Sequence, residues 1–520
     1  MKTPSRYPLR RVTPFALVAL LSLSFLSSAF SKSEWSKASN EHFIIYSQAS
    51  QSKTEALYHE LNTTRALFAT LFPALTGEQR NPLRVYIFKD LKSLKEIAPL
   101  FDGKPKDNPG FFSGDREGSF LCMIATGELD RIKHTLNHEY IHFITRNRGY
   151  YLAPWASEGL AELYSKIEYK KIKKENRILL GGVHDHRIHM VRNESLLDFD
   201  TFFRTTRNSD LYNGAAHGRS MLYSQAWLLF HYLTYGKHDL GDDMLRRLIS
   251  LALTTPHPNE EQVKQTLGLD YKELAKRLRG YARAGRFTQR AYPIPAEAEE
   301  SEIELLPATE TETHLIYGSL LLKTRGPRAS LSHLTKAMEA DPQDPMVQAY
   351  NGYFYFAQKD YDSALPYFDK AIELGSISPA THLYHARCLL RLRNPKNKLN
   401  YGQYDIATSQ AALASLHKAL ELGGPFSPEV YAHFGEVFLA SRLELNDSDF
   451  SIVIDGFKEF PDSAQLAFYI ALYFERTDRY DIALKVVERF ASLAKNGRNA
   501  ANFVQLEKRL LEKQSAASAQ

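Results

Sequence analysis

Cysteine is almost absent from this 520-residue sequence, which contains only Cys122 and Cys388. Two cysteines so far apart leave room for one bridge at most and exclude a disulfide scaffold. The paired cysteine spacing of a zinc ribbon is also missing. Any metal site must therefore be built from histidine, aspartate and glutamate.

The sequence also has little net charge beyond its first residues. Residues 2–11 hold four basic residues and no acid, and residues 12–29 form an apolar run that ends among small residues. This pattern predicts a secretory signal peptide at residues 1–29 and an exported protein, periplasmic or extracellular. An uncleaved anchor is the alternative, and we expect membrane association only in that case. Without the four basic residues the formal charge falls from +5 to +1, so nucleic acid is not an expected partner.

The order of the remaining patterns predicts two domains. Residues 34–288 read as strand, helix, strand and hairpin, followed by helices, which is typical of an α+β domain. In this order the hairpin spans residues 110–125, with its turn at 115–118. Residues 289–310 are acidic, contain prolines and lack an apolar period, so we expect a linker. Residues 311–514 form the second domain.

The second domain repeats itself with a period of 34 residues. The anchors at Gly318, Leu334 and Ala337 recur at Gly352, Phe368 and Ala371, and looser copies follow around positions 386–419, 435 and 471–490. The period and the alternation of small and large residues resemble the tetratricopeptide repeat. The resemblance implies an all-α solenoid that binds a peptide or protein partner.

The chemistry of the first domain is concentrated in "HTLNHEYIHF", residues 134–143. On a helix, His138 and His142 share one face and can both reach one metal ion. Glu139 is displaced by about 100°, so it stays off the metal but within reach of a water that the metal activates. This is the arrangement that hydrolysis requires, with Glu139 as general base.

Two histidines leave the set of metal ligands incomplete, because catalytic zinc usually has three protein ligands. "YLAPWASEGLAELYSK", from residue 151, predicts a second helix with Glu158 and Glu162 on one face. Glu158 can supply the third ligand, and Glu162 can accept the N–H of a ligand histidine.

The pattern H-E-x-x-H, followed after fifteen residues by the E-G-x-A-E segment, resembles the gluzincin metallopeptidases, such as thermolysin and aminopeptidase N. It is most similar to the bacterial "peptidase MA-like" branch, which often carries repeats. The resemblance implies a thermolysin-like fold and a Zn²⁺ ion bound by His138, His142 and Glu158, with Glu139 as base. The spacing is slightly shorter than in well-known aminopeptidases, so Glu162 stays open as the third ligand. The G-x-M-E-N motif is absent, so exopeptidase specificity does not carry over.

The resemblance also suggests an oxyanion-stabilising residue on a later helix. Tyr223 is the candidate, with His217 as second choice and a plain core tyrosine as the alternative. The hairpin is expected to supply the edge strand on which an extended peptide pairs.

Two other polar segments have simpler interpretations. His184, His186 and His189 follow a glycine pair, where a solvated loop is favoured over a surface metal site. The basic run at residues 166–177 is interpreted as a solvated helix face.

Two hypotheses follow. The first is an exported zinc endopeptidase whose repeats bind a partner or present substrate. The second is a periplasmic tetratricopeptide scaffold with an inactive peptidase-like domain.

Overall fold

The computed structural model describes most of the chain from Glu34 onwards. The described residues are 34–76, 81–105, 107–115, 118–147, 152–213, 216–299, 303–395, 399–423, 428–444, 446–461, 463–493 and 500–518. The predicted signal peptide lies outside them. Within these ranges, no helix is long and apolar enough to cross a bilayer.

The first domain is organised around a six-stranded mixed sheet. The strands are β1 (Ser36–Ser39), β2 (Phe43–Ser47), β3 (Leu83–Phe88), β4 (Leu100–Phe101), β5 (Lys104–Pro105), β6 (Gly110–Asp115), β7 (Gly118–Ile124), β8 (Glu168–Ile172), β9 (Glu175–Leu180), β10 (Arg290–Pro293) and β11 (Leu306–Pro307). The order in the six-stranded sheet is β11-β1-β2-β3-β7-β6, with β2, β3 and β7 parallel and the other pairs antiparallel. A three-stranded sheet, β10-β9-β8, and the small pair β4-β5 accompany it.

Helices make up most of the rest of this domain. They are α1 (Gln51–Leu71), α2 (Pro73–Thr76), α3 (Leu91–Ile97), α4 (Leu129–Asn147), α5 (Pro154–Tyr164), α6 (Asp185–Asn193), α7 (Phe199–Arg204), α8 (Asp210–Asn213), α9 (Ala216–Tyr235), α10 (Met244–Thr254), α11 (Glu260–Leu267), α12 (Tyr271–Ala284) and α13 (Ala296–Glu299).

The remainder of the chain is a series of antiparallel helix pairs. Its helices are α14 (Glu310–Arg325), α15 (Pro327–Ala340), α16 (Pro345–Ala357), α17 (Tyr361–Glu373), α18 (Pro379–Arg393), α19 (Ile406–Glu421), α20 (Glu429–Ala440), α21 (Asp447–Glu459), α22 (Ala464–Arg476), α23 (Tyr480–Leu493) and α24 (Ala500–Ser518).

The main sheet has a hydrophobic core on each face, because successive strand residues point to opposite sides. On one face, Val85 and Leu121 join the largest core, which contains residues of α1, α4, α5 and α9. On the other face, Phe88 and Phe120 pack with residues of α3 and of α14, including Leu320. The first helix of the repeats therefore covers the sheet face opposite α4.

The predicted small-residue contacts between repeat helices are present. A Cβ on Gly318 would lie 2.7 Å from Leu334 Cδ2, and one on Gly352 would lie 2.7 Å from Phe368 Cε1. These glycines are required because each paired helix presses a large side chain against them.

Two interpretations of local segments were wrong. The basic run forms the β8–β9 hairpin rather than a helix face, since Ile178 and Leu180 alternate into the core and Lys173 and Lys174 form the turn with positive φ angles of 50° and 71°. The histidine segment is not a solvated loop, because α6 begins at Asp185 and His184 is buried.

The segment predicted as a linker, residues 289–310, is attached at both ends. Its first part, β10, pairs with β9, and Leu306 and Pro307 pair with β1. Backbone pairing is not visible in composition alone, which explains why this segment resembled a free connection. The predicted hairpin at residues 110–125 is present as β6 and β7, although residues 116 and 117 of its turn lie outside the described residues.

Candidate metal centre

Helix α4 is held in a fixed rotation by polar contacts on its buried side. Asn137 donates from Nδ2 to Glu60 Oε1 (2.8 Å) and accepts at Oδ1 from Thr64 Oγ1 (2.7 Å), which ties α4 to α1. Lys133 adds an ion pair of 3.0 Å to the same buried glutamate. With this side fixed, His138 and His142 face α5.

Helix α5 lies close because its sequence is rich in small residues. Every residue of α5 is buried. A Cβ on Gly159 would lie 2.3 Å from Phe230 Cδ2 of α9, so only glycine fits there. Trp155 donates from Nε1 to the carbonyl of Pro256 at 2.9 Å and fixes the first turn. This packing places Glu158 opposite the two histidines.

Three potential ligand atoms meet between α4 and α5. The Nε2 atoms of His138 and His142 are 3.2 Å apart, and Glu158 Oε2 lies 3.3 and 3.4 Å from them. The side chains of the histidines are 12% and 11% exposed and that of Glu158 is 1% exposed. The structure thus brings Glu158, and not Glu162, to both Nε2 atoms.

The charges of the cluster are strongly coupled. Burial alone would raise the pKa of Glu158, but the adjacent imidazoles of His142 and His138 hold it well below its ordinary value. Burial alone would lower the pKa of His138, but its contact with Glu158 and the charge of Glu162 raise it to about 9. The cluster therefore contains a buried, ionised carboxylate that is stabilised by positive charge beside it.

The residues fit a zinc ion by two independent criteria. Ligands at about 2.0–2.1 Å from a tetrahedral ion are about 3.4 Å apart, close to the three separations of 3.2, 3.3 and 3.4 Å. In addition, Glu158 Oε2 is buried without a hydrogen bond of acceptable geometry. A buried carboxylate oxygen of this kind is expected to be paired or to coordinate a metal.

The histidine rings have further contacts on their other nitrogens. Ser157 Oγ lies 3.0 Å from His142 Nδ1. Glu162 Oε1 lies 3.6 Å from His138 Nδ1, longer than the hydrogen bond expected from the sequence. Arg187 binds the Glu162 carboxylate with both Nε (2.9 Å) and Nη2 (2.6 Å). Although burial opposes it, this guanidinium and the nearby His138 lower the pKa of Glu162 to about 2.

Two tyrosines complete the surroundings of Glu158. Tyr212 of α8 donates its hydroxyl proton to Glu158 Oε1 at 2.9 Å. The ring of Tyr223 stacks on that of His138, with centroids 6.2 Å apart and planes at 6°. Burial, followed by the charge of Glu158, raises the pKa of Tyr223 well above its ordinary value. His217, the second choice for the oxyanion role, is exposed at the start of α9.

A cleft of about 280 Å³ reaches this cluster at His138. His138, Glu139 and Tyr223 line it, together with Gly110 of the edge strand β6. Among the described residues, none forms a hydrogen bond with the Glu139 carboxylate, which leaves this group available to a water or a substrate in the cleft.

A second cluster lies one helical turn away. His134 and Glu162, with His184 just before α6, each offer a ligand atom within 4.8 Å of the others. Burial lowers the pKa of His134 to about 3 and that of His184 to about 4. Both imidazoles are therefore neutral near pH 7.

Sequence reasoning missed several of these residues. His134 precedes His138 by four positions, so its place on the same helix face was readable from the period. Ser157 is adjacent to Glu158, but nothing in the sequence linked it to His142. Arg187 and Tyr212 come from helices distant in sequence, and no local pattern connects them with α5.

Comparison with known families identifies the repeats. Residues 318–379 match the tetratricopeptide repeat family. These residues contain the second half of α14 and all of α15, α16 and α17, so this part of the second domain matches the tetratricopeptide repeat. Repeats of this family form scaffolds for protein interactions. The match lies within the repeats and gives no information about residues 34–288. No curated protein matches the chain.

Three solved structures show how distant the similarity is. A thermophilic TPR protein from Thermus thermophilus is 16% identical and covers 39% of this chain and 98% of its own, with a TM-score of 0.27. The P58(IPK) TPR domain is 18% identical, with coverages of 40% and 68% and a TM-score of 0.18. A signal-transduction ATPase with a tetratricopeptide repeat sensor, from Pyrococcus horikoshii, is 11% identical, with coverages of 95% and 80% and a TM-score of 0.26. Scores this low carry no argument about the fold.

Proposed function

We propose that this protein is a zinc-dependent peptidase, an endopeptidase with a gluzincin-like α+β domain, and that its repeats bind a partner or substrate protein. The observation that carries the proposal is the triangle of His138 Nε2, His142 Nε2 and Glu158 Oε2, with sides of 3.2–3.4 Å, beside a cleft that His138 lines.

The residues that would hold the metal are His138, His142 and Glu158, with Ser157 and Tyr212 fixing the orientation of two of them. When bound, zinc supplies polarisation of the scissile carbonyl and a lowered pKa for a water molecule. Glu139 faces the same cleft and would take the proton of the attacking water and pass it to the leaving nitrogen.

Two further features would hold the substrate. Tyr223 lines the cleft and keeps its proton, because burial raises its pKa, so its hydroxyl can donate to a developing oxyanion. Strand β6 is an edge of the six-stranded sheet, and its free backbone groups can pair with an extended peptide beside the cleft.

Replacing the base tests the proposal. We expect Glu139→Gln to lower cleavage of a peptide library by about 10²–10⁴-fold, because the amide cannot accept the proton. Its zinc content should equal that of the wild type, since Glu139 is not among the three ligand atoms. Glu194→Gln, an exposed site at the end of α6, is the matched control and should cleave normally. Zinc-loaded wild-type protein that cuts no peptide would contradict the proposal.

A scaffold function is the second candidate, and the tetratricopeptide match favours it. In this case the repeats would bind a protein partner and the first domain would be catalytically inactive. A protein partner that binds the intact chain equally in wild type and Glu139→Gln, without any cleavage, would support it.

We also propose export, supported by the basic and then apolar pattern of residues 1–29. Fractionation of cells and N-terminal sequencing of the mature chain would test both export and cleavage.

A further inference from the structure

The cluster of His134, Glu162 and His184 lies one helical turn from the first centre. His134 precedes His138 by one turn of α4, and Glu162 follows Glu158 by one turn of α5. His184, at the N-terminus of α6, closes the group, and its ring centroid is 4.4 Å from that of His134. The cluster thus draws on three helices and is separate from the first three ligand atoms.

A buried nitrogen with no hydrogen-bond partner among the described residues points to a ligand at this position. His134 Nε2 is inaccessible to solvent and makes no hydrogen bond with any described residue. His184 Nε2 has only a long contact of 3.4 Å with Ser165 Oγ. Two imidazoles beside a carboxylate form a donor set that suits zinc, copper and nickel.

Residues of this cluster line two cavities. His134 and His184 line a large open cavity of about 1350 Å³ that is adjacent to the smaller cleft. His134 and Glu162 also line the smaller cleft.

We propose that His134, His184 and Glu162 form a second site for a divalent transition-metal ion, next to the first centre and weaker than it. Its ligand atoms lie within 4.8 Å of one another. A bound ion must compete with Arg187 for the Glu162 carboxylate. This competition lowers the affinity relative to the first centre.

Zinc titration of the intact, metal-stripped chain tests this proposal, which does not depend on peptidase activity. We expect two equivalents, one tight and one at least tenfold weaker. His184→Asn should remove the weak equivalent and retain the tight one, which also shows that the variant is folded. His142→Ala should do the reverse. His189→Asn, exposed on the same helix α6, is the matched control and should retain both.

Two results would overturn the second site: a wild-type protein that binds a single equivalent, or a His184→Asn variant that keeps the weak one. A wild-type protein that binds no zinc tightly would instead contradict the proposed function. The two failures are therefore distinguishable.

Discussion

Tyr212 shows how a single side chain tunes the candidate centre. Its hydroxyl donates to Glu158 Oε1, which leaves Oε2 directed at the two histidines. A hydrogen bond to one oxygen of a ligating carboxylate fixes the rotation of the whole group. The residue would therefore act on a bound metal through Glu158.

Removing this hydroxyl should weaken metal binding without changing the ligands. We expect Tyr212→Phe to raise the Kd for zinc by about 10–100-fold, measured by competition with a chelator. Tyr431→Phe is a matched control, because Tyr431 also donates to a carboxylate, Glu459 Oε2 at 2.8 Å, in the repeats. Equal zinc affinity in wild type and Tyr212→Phe would contradict this role.

The raised pKa of His138 predicts a pH dependence of zinc uptake. Below about 9 the metal-free protein holds a proton on this ring, and zinc must displace it. The affinity should therefore rise with pH by about tenfold per unit between about pH 7 and 8. The same proton stabilises the metal-free fold below the ordinary value of 6.5, and this stabilisation disappears as pH rises through about 9. An affinity that stays flat over this range would exclude His138 as the displaced proton's source.

Among individual residues, the sequence predicted those that follow one helical period. His138, Glu139 and His142 were predicted because they lie within one helix. Glu158 was predicted because it lies on a second helix that follows closely in sequence. Tyr212 and Arg187 were not, since their positions depend on how distant helices pack.

Among the elements, the packing of α5 against α9 decides whether Glu158 reaches the histidines. Gly159 permits this contact, because Phe230 occupies the space that any side chain would need. The same reasoning explains why small residues occur in the segment that follows the H-E-x-x-H motif.

A methyl group at this position should push the two helices apart. We expect Gly159→Ala to lower the free energy of unfolding by about 1–3 kcal/mol, measured by urea denaturation, and to weaken zinc binding as Glu158 moves. Gly280→Ala in α12 is the control, because its Cβ would meet nothing within 4 Å. It should stabilise the protein by about 0.5–1 kcal/mol. A neutral effect of Gly159→Ala would show that α5 can shift freely.

Element prediction failed where pairing partners are remote. The charges of the basic run favour a solvated helix face, yet β9 pairs with β10 from more than a hundred residues away. Strand pairing over such a distance leaves no periodic signal within the segment itself. The 34-residue repeat, in contrast, was readable because each helix pair contacts its neighbour in sequence.

For the whole molecule, the first repeat helix is part of the structure that supports the centre. Ile316 and Leu320 of α14 are buried against the outer face of the sheet with Trp35 and Phe88. Arg325 of the same helix donates from Nε to the carbonyl of Ala98 at 3.1 Å. Because the repeats cover this face, the candidate metal centre is best tested in the intact chain.

The central claim is that the intact chain holds zinc with His138, His142 and Glu158. Metal analysis combined with zinc K-edge absorption at one equivalent tests it most directly. We expect one tightly bound zinc with nitrogen and oxygen ligands alone, two of them imidazoles, and its loss in Glu158→Ala. A chain that binds no zinc after dialysis against the metal, or a spectrum with a sulfur ligand from Cys122 or Cys388, would contradict the account.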